Sequence, residues 1–181
     1  SETGEWKFLL STGGYAADRW GLIDGRWYYF NHSGRMVTDW QQLNGVWYYL
    51  ATSEDAKRTE GMKEGEMRTG WIYDLFYQKW FYLDKNGAMA TGWREIDGKW
   101  YYFHDSGYMA TGWVELDDGW YFLNSDGSLL TSGWTPDHCW VDDDGRWDDD
   151  RDDRDDRDDD NDDRDDDNDD RDDDNDDRDD D

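Results

Sequence analysis

The sequence predicts an all-β fold: a solenoid of stacked β-hairpins, followed by a low-complexity acidic tail. Three observations predict it. Tryptophans recur at a step of twenty residues along most of the chain, and Asp-Gly or Asn-Gly dipeptides, the signature of two-residue hairpin turns, recur with them. After Trp147 every aromatic residue disappears. A short unit repeated at a fixed period is typical of a solenoid, in which each unit packs on its neighbours.

The period is clearest from Trp93 to Thr111, which read WREIDGKWYYFHDSGYMAT before the same phrase begins again at Gly112. Three sets of tryptophans share the step of twenty: Trp20, Trp27, Trp40 and Trp47; Trp80, Trp100, Trp120 and Trp140; and Trp93 with Trp113. The predicted two-residue turns are Asp24-Gly25, Asn44-Gly45, Asp97-Gly98 and Asp118-Gly119.

The strand after each turn is aromatic on both faces. Alternation puts Trp27 and Tyr29 on one face and Tyr28 and Phe30 on the other. An isolated two-stranded hairpin is marginal in water, so each hairpin is expected to bury its second face against a neighbour. Polar linkers that end in glycine are expected to redirect the chain, and each precedes an apolar plug: Asn31–Gly34 before Met36, Asp84–Gly87 before Met89, His104–Gly107 before Met109, and Asn124–Gly127 before Leu129.

One stretch departs from the repeat, and the units at both ends are incomplete. Trp47 and Trp71 lie 24 residues apart where 13 is usual, which indicates an insertion at about residues 51–64. This polar segment is expected to loop out or to form a short surface helix, with partner binding as the less favoured alternative. The segment Trp6–Leu9 is expected to form an N-terminal cap, and the repeat decays after Trp140. The predicted domains are therefore 1–147, the solenoid, and 148–181, the tail.

The tail contains only Asp, Arg and Asn, and its 25 aspartates and 6 arginines carry −19 of the chain's net charge of −29. Such a charge repels phosphate backbones, which argues against nucleic-acid binding. It also opposes any compact state, so the tail is expected to lack fixed structure in plain water. Closely spaced carboxylates are the hard oxygen ligands that Ca²⁺ prefers, which makes calcium the predicted cofactor and a merely solvated tail the alternative. The candidate metal ligands are Asp142, Asp143, Asp144, Asp148, Asp149, Asp150, Asp158, Asp159 and Asp160.

Other classes of function find little support. No run approaches the roughly 18 apolar residues that a membrane span needs. The single cysteine, Cys139, excludes an intrachain disulfide and leaves a buried thiol or, less favoured, an intermolecular bridge. Common hydrolase, metalloprotease and phosphate-binding motifs are missing, so we expect no enzymatic activity. The chain opens at Ser1, which fits a mature form cut from a longer precursor, although an arbitrary boundary would look the same.

The phrase Thr-Gly-Trp, a turn glycine, Trp-Tyr-Tyr-Phe and then Gly-x-Met-x-Thr-Gly-Trp resembles the choline-binding, or cell-wall-binding, repeat family. The resemblance covers roughly residues 6–147 and is closest between Trp93 and Trp113. It implies a hairpin solenoid wound as a left-handed superhelix, usually in secreted proteins of Gram-positive bacteria or their phages. Similar repeats also occur in glucan-binding and toxin carbohydrate-binding regions.

In that family, ligand lies between consecutive hairpins in a cage of three aromatic rings, two from one unit and one from the next. Carried over to this chain, the resemblance implies three cages: Trp20, Trp27 and Tyr49; Trp71, Trp80 and Tyr102; and Trp93, Trp100 and Phe122. A cage from Trp40 and Trp47 would need Tyr82 from beyond the insertion. Trp113 and Trp120 are expected to lack an aromatic partner, because Asp142 takes that position. The alternative is that these rings are simply hairpin core.

Two functions follow as expectations. The first is a non-catalytic, secreted module that binds choline-bearing or related cell-wall glycans at a bacterial or phage-associated cell surface, through weak sites that act together. The second is a structural subunit of an extracellular filament or layer, a homo-oligomer whose Asp-rich tail joins neighbours through Ca²⁺. A solenoid has open ends, and end contacts that do not close into a ring generate filaments.

Overall fold

The computed structural model describes residues 6–149, and the predicted solenoid of stacked β-hairpins is confirmed. Consecutive strands pair antiparallel into six two-stranded sheets within this range, here called hairpins 1 to 6 in chain order. The strands are β1 Arg19–Ile23, β2 Arg26–Phe30, β3 Asp39–Leu43, β4 Val46–Leu50, β5 Gly70–Asp74, β6 Lys79–Leu83, β7 Gly92–Ile96, β8 Lys99–Phe103, β9 Gly112–Leu116, β10 Gly119–Leu123, β11 Gly133–Trp134 and β12 Trp140–Val141.

The two faces of each hairpin have different surroundings. In β2, Tyr28 and Phe30 are only 8% and 2% exposed, whereas Trp27 is 44% exposed. We call the face of Tyr28 and Phe30 the inner face, and the face of Trp27 and Tyr29 the tryptophan face. Phe30, Leu50, Leu83, Phe103 and Leu123 occupy the same inner-face position in successive hairpins and are almost completely buried. The core is therefore a row of small clusters along the solenoid.

Hairpins are joined by a repeated backbone hydrogen bond. The residue in the plug position after one hairpin donates its N–H to the carbonyl of the second-strand tryptophan in the hairpin before, at 2.7–2.9 Å. The donor and acceptor pairs are Met67 and Trp27, Met89 and Trp47, Met109 and Trp80, Leu129 and Trp100, and Trp147 and Trp120. Met36 makes the same bond to Trp6, so the predicted N-terminal cap is the second half of a hairpin unit.

The linker glycines permit this close stacking. Gly107 is buried with φ at +86°, a backbone conformation that side-chain-bearing residues rarely adopt. A Cβ at this position would also collide with the Met89 side chain, which belongs to the plug before it. Glycine is therefore favoured here by its conformation, and any larger residue would force the Met89 side chain to move.

The turns follow the sequence prediction in three hairpins and depart from it in two. Asp24 and Gly25 have φ of +50° and +79°, as a type I′ turn requires, and Asn44-Gly45 and Asp97-Gly98 match them. In hairpin 5 the predicted turn Asp118-Gly119 is wrong: Gly119 begins β10 opposite Leu116, and Asp117-Asp118 make the turn. Register explains this, because pairing Trp120 with Glu115 and Trp113 with Phe122 leaves only those two residues between the strands.

Hairpin 3 has a four-residue loop, Leu75 to Gln78, that the sequence analysis missed. Trp71 and Trp80 are nine residues apart, whereas the corresponding tryptophans of the other complete units are seven apart. The two additional residues between the tryptophans of hairpin 3 were the sequence signal for this longer loop.

The insertion forms helix α1, Ser53–Arg58, which confirms the expected short surface helix. Thr52 and Asp55 form a capping box at its start. The Tyr49 hydroxyl donates to the Asp55 carboxylate at 2.9 Å. Burial is the main cause that raises the pKa of Tyr49, and this hydrogen bond is the second. Stacking continues past the insertion, since Phe81 of hairpin 3 packs on Trp40 of hairpin 2 at 4.9 Å between ring centroids.

Candidate functional site

The first four joints between hairpins each bring together two tryptophans from one hairpin, an inner-face ring from the next, and the plug residue that follows. At the fifth joint the plug residue is itself the third ring. We number these arrangements by their first hairpin. Site 1 is Trp20, Trp27, Tyr48 and Met67; site 2 is Trp40, Trp47, Phe81 and Met89; site 3 is Trp71, Trp80, Tyr101 and Met109; site 4 is Trp93, Trp100, Tyr121 and Leu129; and site 5 is Trp113, Trp120 and Trp147.

Site 1 shows how the walls are held. The Trp20 ring lies edge-on to Tyr29 of its own hairpin at 5.3 Å and to Tyr48 of the next at 5.0 Å. The backbone bond from Met67 to Trp27 fixes the fourth wall. Together these side chains line an open cavity of about 360 Å³. The walls of the site are therefore held by contacts within the fold itself.

The structure keeps both tryptophans of each predicted cage together but replaces the third ring. Tyr49, Tyr102 and Phe122 do not reach the preceding hairpin; they pack against Trp40, Trp93 and Trp113 of their own hairpins at 5.1–5.3 Å. The residues that complete sites 1, 3 and 4 are Tyr48, Tyr101 and Tyr121, one position earlier. The reason is that hairpins pack front to back. The tryptophan face of one meets the inner face of the next, and adjacent strand residues lie on opposite faces.

Site 3 repeats this geometry, and in site 2 the Trp40 ring makes the corresponding contact with the next hairpin. In site 2 the ring from beyond the insertion is Phe81, whereas the predicted Tyr82 packs on Trp71 in its own hairpin. In site 3, Trp71 and Trp80 stand at 85° to each other with centroids 6.3 Å apart. Tyr101 lies 4.9 Å from Trp71. Two near-perpendicular indoles with a third ring form three walls of a cage.

Site 4 differs from site 1 in its electrostatics. Asp143 and Asp144, from the linker after hairpin 6, line the site 4 cavity of about 360 Å³. At site 1 the linker after hairpin 3 puts Lys85 and Asn86 in the corresponding place. Site 4 therefore has a negative rim and site 1 a positive one, a difference that the sequence analysis did not anticipate because it requires knowing that a linker reaches back two hairpins.

Site 5 corrects the expectation that Trp113 and Trp120 lack an aromatic partner. Trp147 takes the plug position, donates its N–H to the Trp120 carbonyl at 2.9 Å, and lies 6.3 Å from the Trp113 ring. Asp142 is held in its own linker, where its carboxylate accepts hydrogen bonds from the backbone N–H groups of Asp144 and Arg146. The three indoles and Cys139 line a cavity of about 240 Å³.

A partial site lies at the N-terminal end. Trp6, Tyr28 and Met36 occupy the second-strand, inner-face and plug positions of one more unit and line a cavity of about 570 Å³ with residues of the insertion.

The predicted metal ligands fall into two groups. Asp142, Asp143, Asp144, Asp148 and Asp149 lie in the described part of the chain, and within residues 6–149 no three acidic, histidine or cysteine side chains come together in a way that could hold a metal ion. Asp150, Asp158, Asp159 and Asp160 lie outside the described residues, as does the rest of the tail. Calcium binding by the tail therefore stays a prediction, as does the domain boundary at residue 147.

Comparison with known proteins identifies the repeat. A family model described as a choline-binding repeat matches residues 17–60 and 90–134, and one described as a putative cell wall binding repeat matches residues 69–89. Choline-binding protein F from Streptococcus pneumoniae is 38% identical, with a TM-score of 0.67, over 79% of this chain and 44% of its own. The choline-binding domain of CbpL from Streptococcus pneumoniae is 30% identical, with a TM-score of 0.53, over 78% of this chain and 82% of that domain.

A curated relative is larger. A putative endo-beta-N-acetylglucosaminidase of Streptococcus pneumoniae is 30% identical over 91 residues, which is 50% of this chain but only 12% of that protein. The match lies in the repeats, which form non-catalytic modules. Streptococcal proteins with these repeats are associated with the cell surface, and no described helix here has the length and apolar character of a membrane span. The matched models, the shared fold and the coverage of the CbpL domain together show that this chain belongs to the choline-binding repeat family.

Proposed function

We propose that this chain is a non-catalytic surface module that binds the choline groups of a cell-wall glycan at sites 1 to 5. The observation that carries the proposal is the recurrence of a cage, with two tryptophans and one ring from the following unit, at successive joints. A quaternary ammonium cannot donate hydrogen bonds, so it is held by the negative faces of aromatic rings. Each such contact contributes about 0.5–2 kcal/mol.

Several weak sites on one rigid array suit a polymeric ligand. Once one choline group is bound, the next is presented at a high effective concentration, so that the whole array holds the polymer far more tightly than one site does. Choline-binding protein F has been crystallised in the presence of a peptidoglycan analogue, a tetrasaccharide-pentapeptide, which supports a wall glycan as the partner. We accordingly infer a secreted protein held at a bacterial, or phage-associated, cell surface.

The test is retention on an immobilised quaternary amine. We expect the full chain to be retained and to elute with free choline, but not with the same concentration of glucose. A variant carrying Trp27→Ala, Trp100→Ala and Trp120→Ala, which removes one wall from three sites, should elute at lower choline. Leu22→Ala, opposite Trp27 on an exposed position, is the matched control. A full chain that passes through unretained would overturn the proposal, and elution by glucose alone would favour a glucan as ligand.

A further inference from the structure

Hairpin 3 carries an exposed aromatic surface that the other complete hairpins lack. We call Tyr73, Leu75, Phe76, Tyr77 and Trp80 the aromatic tip. Each member is at least 45% exposed, and Phe76 is 86% exposed. Monomeric soluble proteins rarely expose several large apolar side chains side by side unless they contact a partner.

The repeat itself provides the comparison. Residues opposite the second-strand tryptophan in hairpins 1, 2, 4 and 5 are Leu22, Gln42, Glu95 and Glu115. In hairpin 3 the residue is Tyr73, whose ring lies 5.2 Å from Trp80. The same hairpin replaces a two-residue polar turn with Leu-Phe-Tyr-Gln. Two independent departures from the repeat therefore enlarge the same aromatic surface.

The tip is held in place. The Asp74 carboxylate accepts the backbone N–H groups of Phe76 and Tyr77 at 2.8 and 2.9 Å, and the Trp40 indole N–H from the preceding hairpin at 2.8 Å. The Tyr77 ring packs on the buried Phe81 ring at 6.2 Å. A loop that is ordered before binding loses little conformational entropy when a ligand arrives.

The chemistry of the tip favours a neutral sugar. Residues 75–78 carry no formal charge, and the chain's net charge of −29 repels anionic membranes and polyanions. A pyranose ring presents a face of C–H groups that can lie against the negative face of an aromatic ring. Its hydroxyl groups need polar partners at the edge of that contact, which Tyr73, Tyr77 and Gln78 provide.

The tip is also continuous with a proposed ligand site. Trp80 is one wall of site 3 and is in ring contact with both Trp71 inside the site and Tyr73 in the tip. We propose that the aromatic tip is a sugar-stacking subsite that binds an uncharged pyranose unit of the glycan whose choline group occupies site 3. The link to site 3 rests on the function proposed above, whereas sugar binding by the tip does not.

The experiment separates sugar from choline. The full chain is titrated with chitotetraose, a neutral oligosaccharide without choline, and separately with choline chloride, both followed by NMR. We expect chitotetraose to bind the wild type and Leu22→Glu alike, and its affinity to fall about tenfold in Phe76→Ser and in Tyr73→Glu. Tyr73→Glu places opposite Trp80 the glutamate that hairpins 4 and 5 carry at this position. Leu22→Glu places a glutamate at the equivalent position of hairpin 1. Choline affinity should stay the same in Phe76→Ser.

Several outcomes would overturn the subsite. One is a wild type that does not bind chitotetraose, and another is a Phe76→Ser variant that binds it as tightly as the wild type does. A concentration-dependent dimer, or binding to phosphatidylglycerol–phosphatidylethanolamine vesicles, that is lost in Phe76→Ser would assign the tip to a second copy or to lipid instead. Failure of choline to bind any of these proteins would remove the proposed function while leaving the sugar titration to decide the subsite.

Discussion

At the scale of single residues, position on one face or the other decides the role of an aromatic ring. Tyr48 and Tyr49 are neighbours in β4, yet Tyr48 completes site 1 while Tyr49 packs on Trp40 and donates to Asp55. The first and second walls of each proposed cage could be inferred from the resemblance to the family's repeat, because their spacing is fixed within one unit. The third could not, because it depends on which face of the next hairpin meets the first.

Charged rims predict different preferences for sites 1 and 4. Phosphocholine carries negative charge next to its quaternary ammonium, so Lys85 at site 1 should favour it over choline, and Asp143 with Asp144 at site 4 should do the reverse. Exposed charge pairs of this kind contribute roughly 0.2–1 kcal/mol, which sets the expected size of the effect. Titrations followed at the indole N–H signals of Trp27 and Trp100 report each site separately.

The matched variants for this prediction are Lys85→Asn and the pair Asp143→Asn with Asp144→Asn. Each should equalise the affinities for the two ligands at its own site and leave the other site unaltered. The effect should also shrink at high salt, since exposed charges are screened. Identical ratios of phosphocholine to choline affinity at both sites in the wild type would contradict the electrostatic argument.

Cys139 makes site 5 testable by chemistry. Because its thiol lines the same cavity as three indoles, a trimethylammonium-ethyl methanethiosulfonate should be held by the rings and react with it faster than a neutral methyl methanethiosulfonate does, relative to their rates with free cysteine. Free choline should slow the cationic reagent only. Mass spectrometry of the modified chain gives both rates, and Trp147→Ala should abolish the difference. If choline instead slows the reaction of the Cys139 thiol with both reagents equally, the cause is a general change in the exposure of the thiol.

At the scale of elements, turns and linkers could be predicted where a short motif specifies them. Asp-Gly and Asn-Gly identified the type I′ turns of hairpins 1, 2 and 4, because their conformation needs positive φ at both residues. In hairpin 5 the prediction from the same motif is wrong, because the strand register pairs Gly119 with Leu116 and makes it a strand residue. The linker glycines were recognised as turn residues, but their contact with the preceding plug is tertiary and left no local signal.

Two glycines of hairpin 4 separate conformation from packing. Gly98 and Gly107 both have positive φ, but a Cβ at Gly98 would meet nothing within 4 Å, whereas at Gly107 it would collide with Met89. We expect Gly98→Ala to lower the free energy of unfolding by about 1 kcal/mol. Gly107→Ala should cost a further 1–3 kcal/mol or so from overpacking. Urea unfolding measures both.

Removal of the obstructing side chain is the control. In a background of Met89→Ala, the additional cost of Gly107→Ala over Gly98→Ala should largely disappear, because the space that the sulfur occupied becomes free. If the difference between the two glycines persists without Met89, the collision is not its cause.

At the scale of the whole molecule, the hairpins form a one-dimensional array. Each contacts its sequence neighbours through rings, plugs and one backbone bond, and linkers reach back two hairpins to border sites 1 and 4. No hairpin shares a sheet with another in the described part of the chain. Such arrays have stabilities that are approximately the sum of unit and interface contributions. The period and the turn dipeptides together were enough to predict this architecture. The role of the tail was inferred from its composition and stays untested.

The tail's calcium prediction is testable on the intact chain. Closely spaced carboxylates predict that the full chain binds Ca²⁺ and that a chain ending at residue 147 does so much more weakly. Titration calorimetry measures binding, and light scattering on the same samples measures particle size. Growth of the particles with Ca²⁺, reversed by a chelator and absent after truncation, would support the filament alternative. A full chain that binds no Ca²⁺ would leave a solvated acidic tail.

The plug bond has a mechanical consequence. Each cage draws its walls from two successive hairpins, so a choline group bound as proposed above would bridge the same interface that the backbone bond closes. When a cell-surface protein is pulled from its wall, the load passes along the solenoid axis and would open these interfaces first. An occupied cage must lose its ligand before its interface can part. Under the function proposed above, attachment to the wall would therefore also resist extension of the chain, and it would do so most where the most ligand is bound.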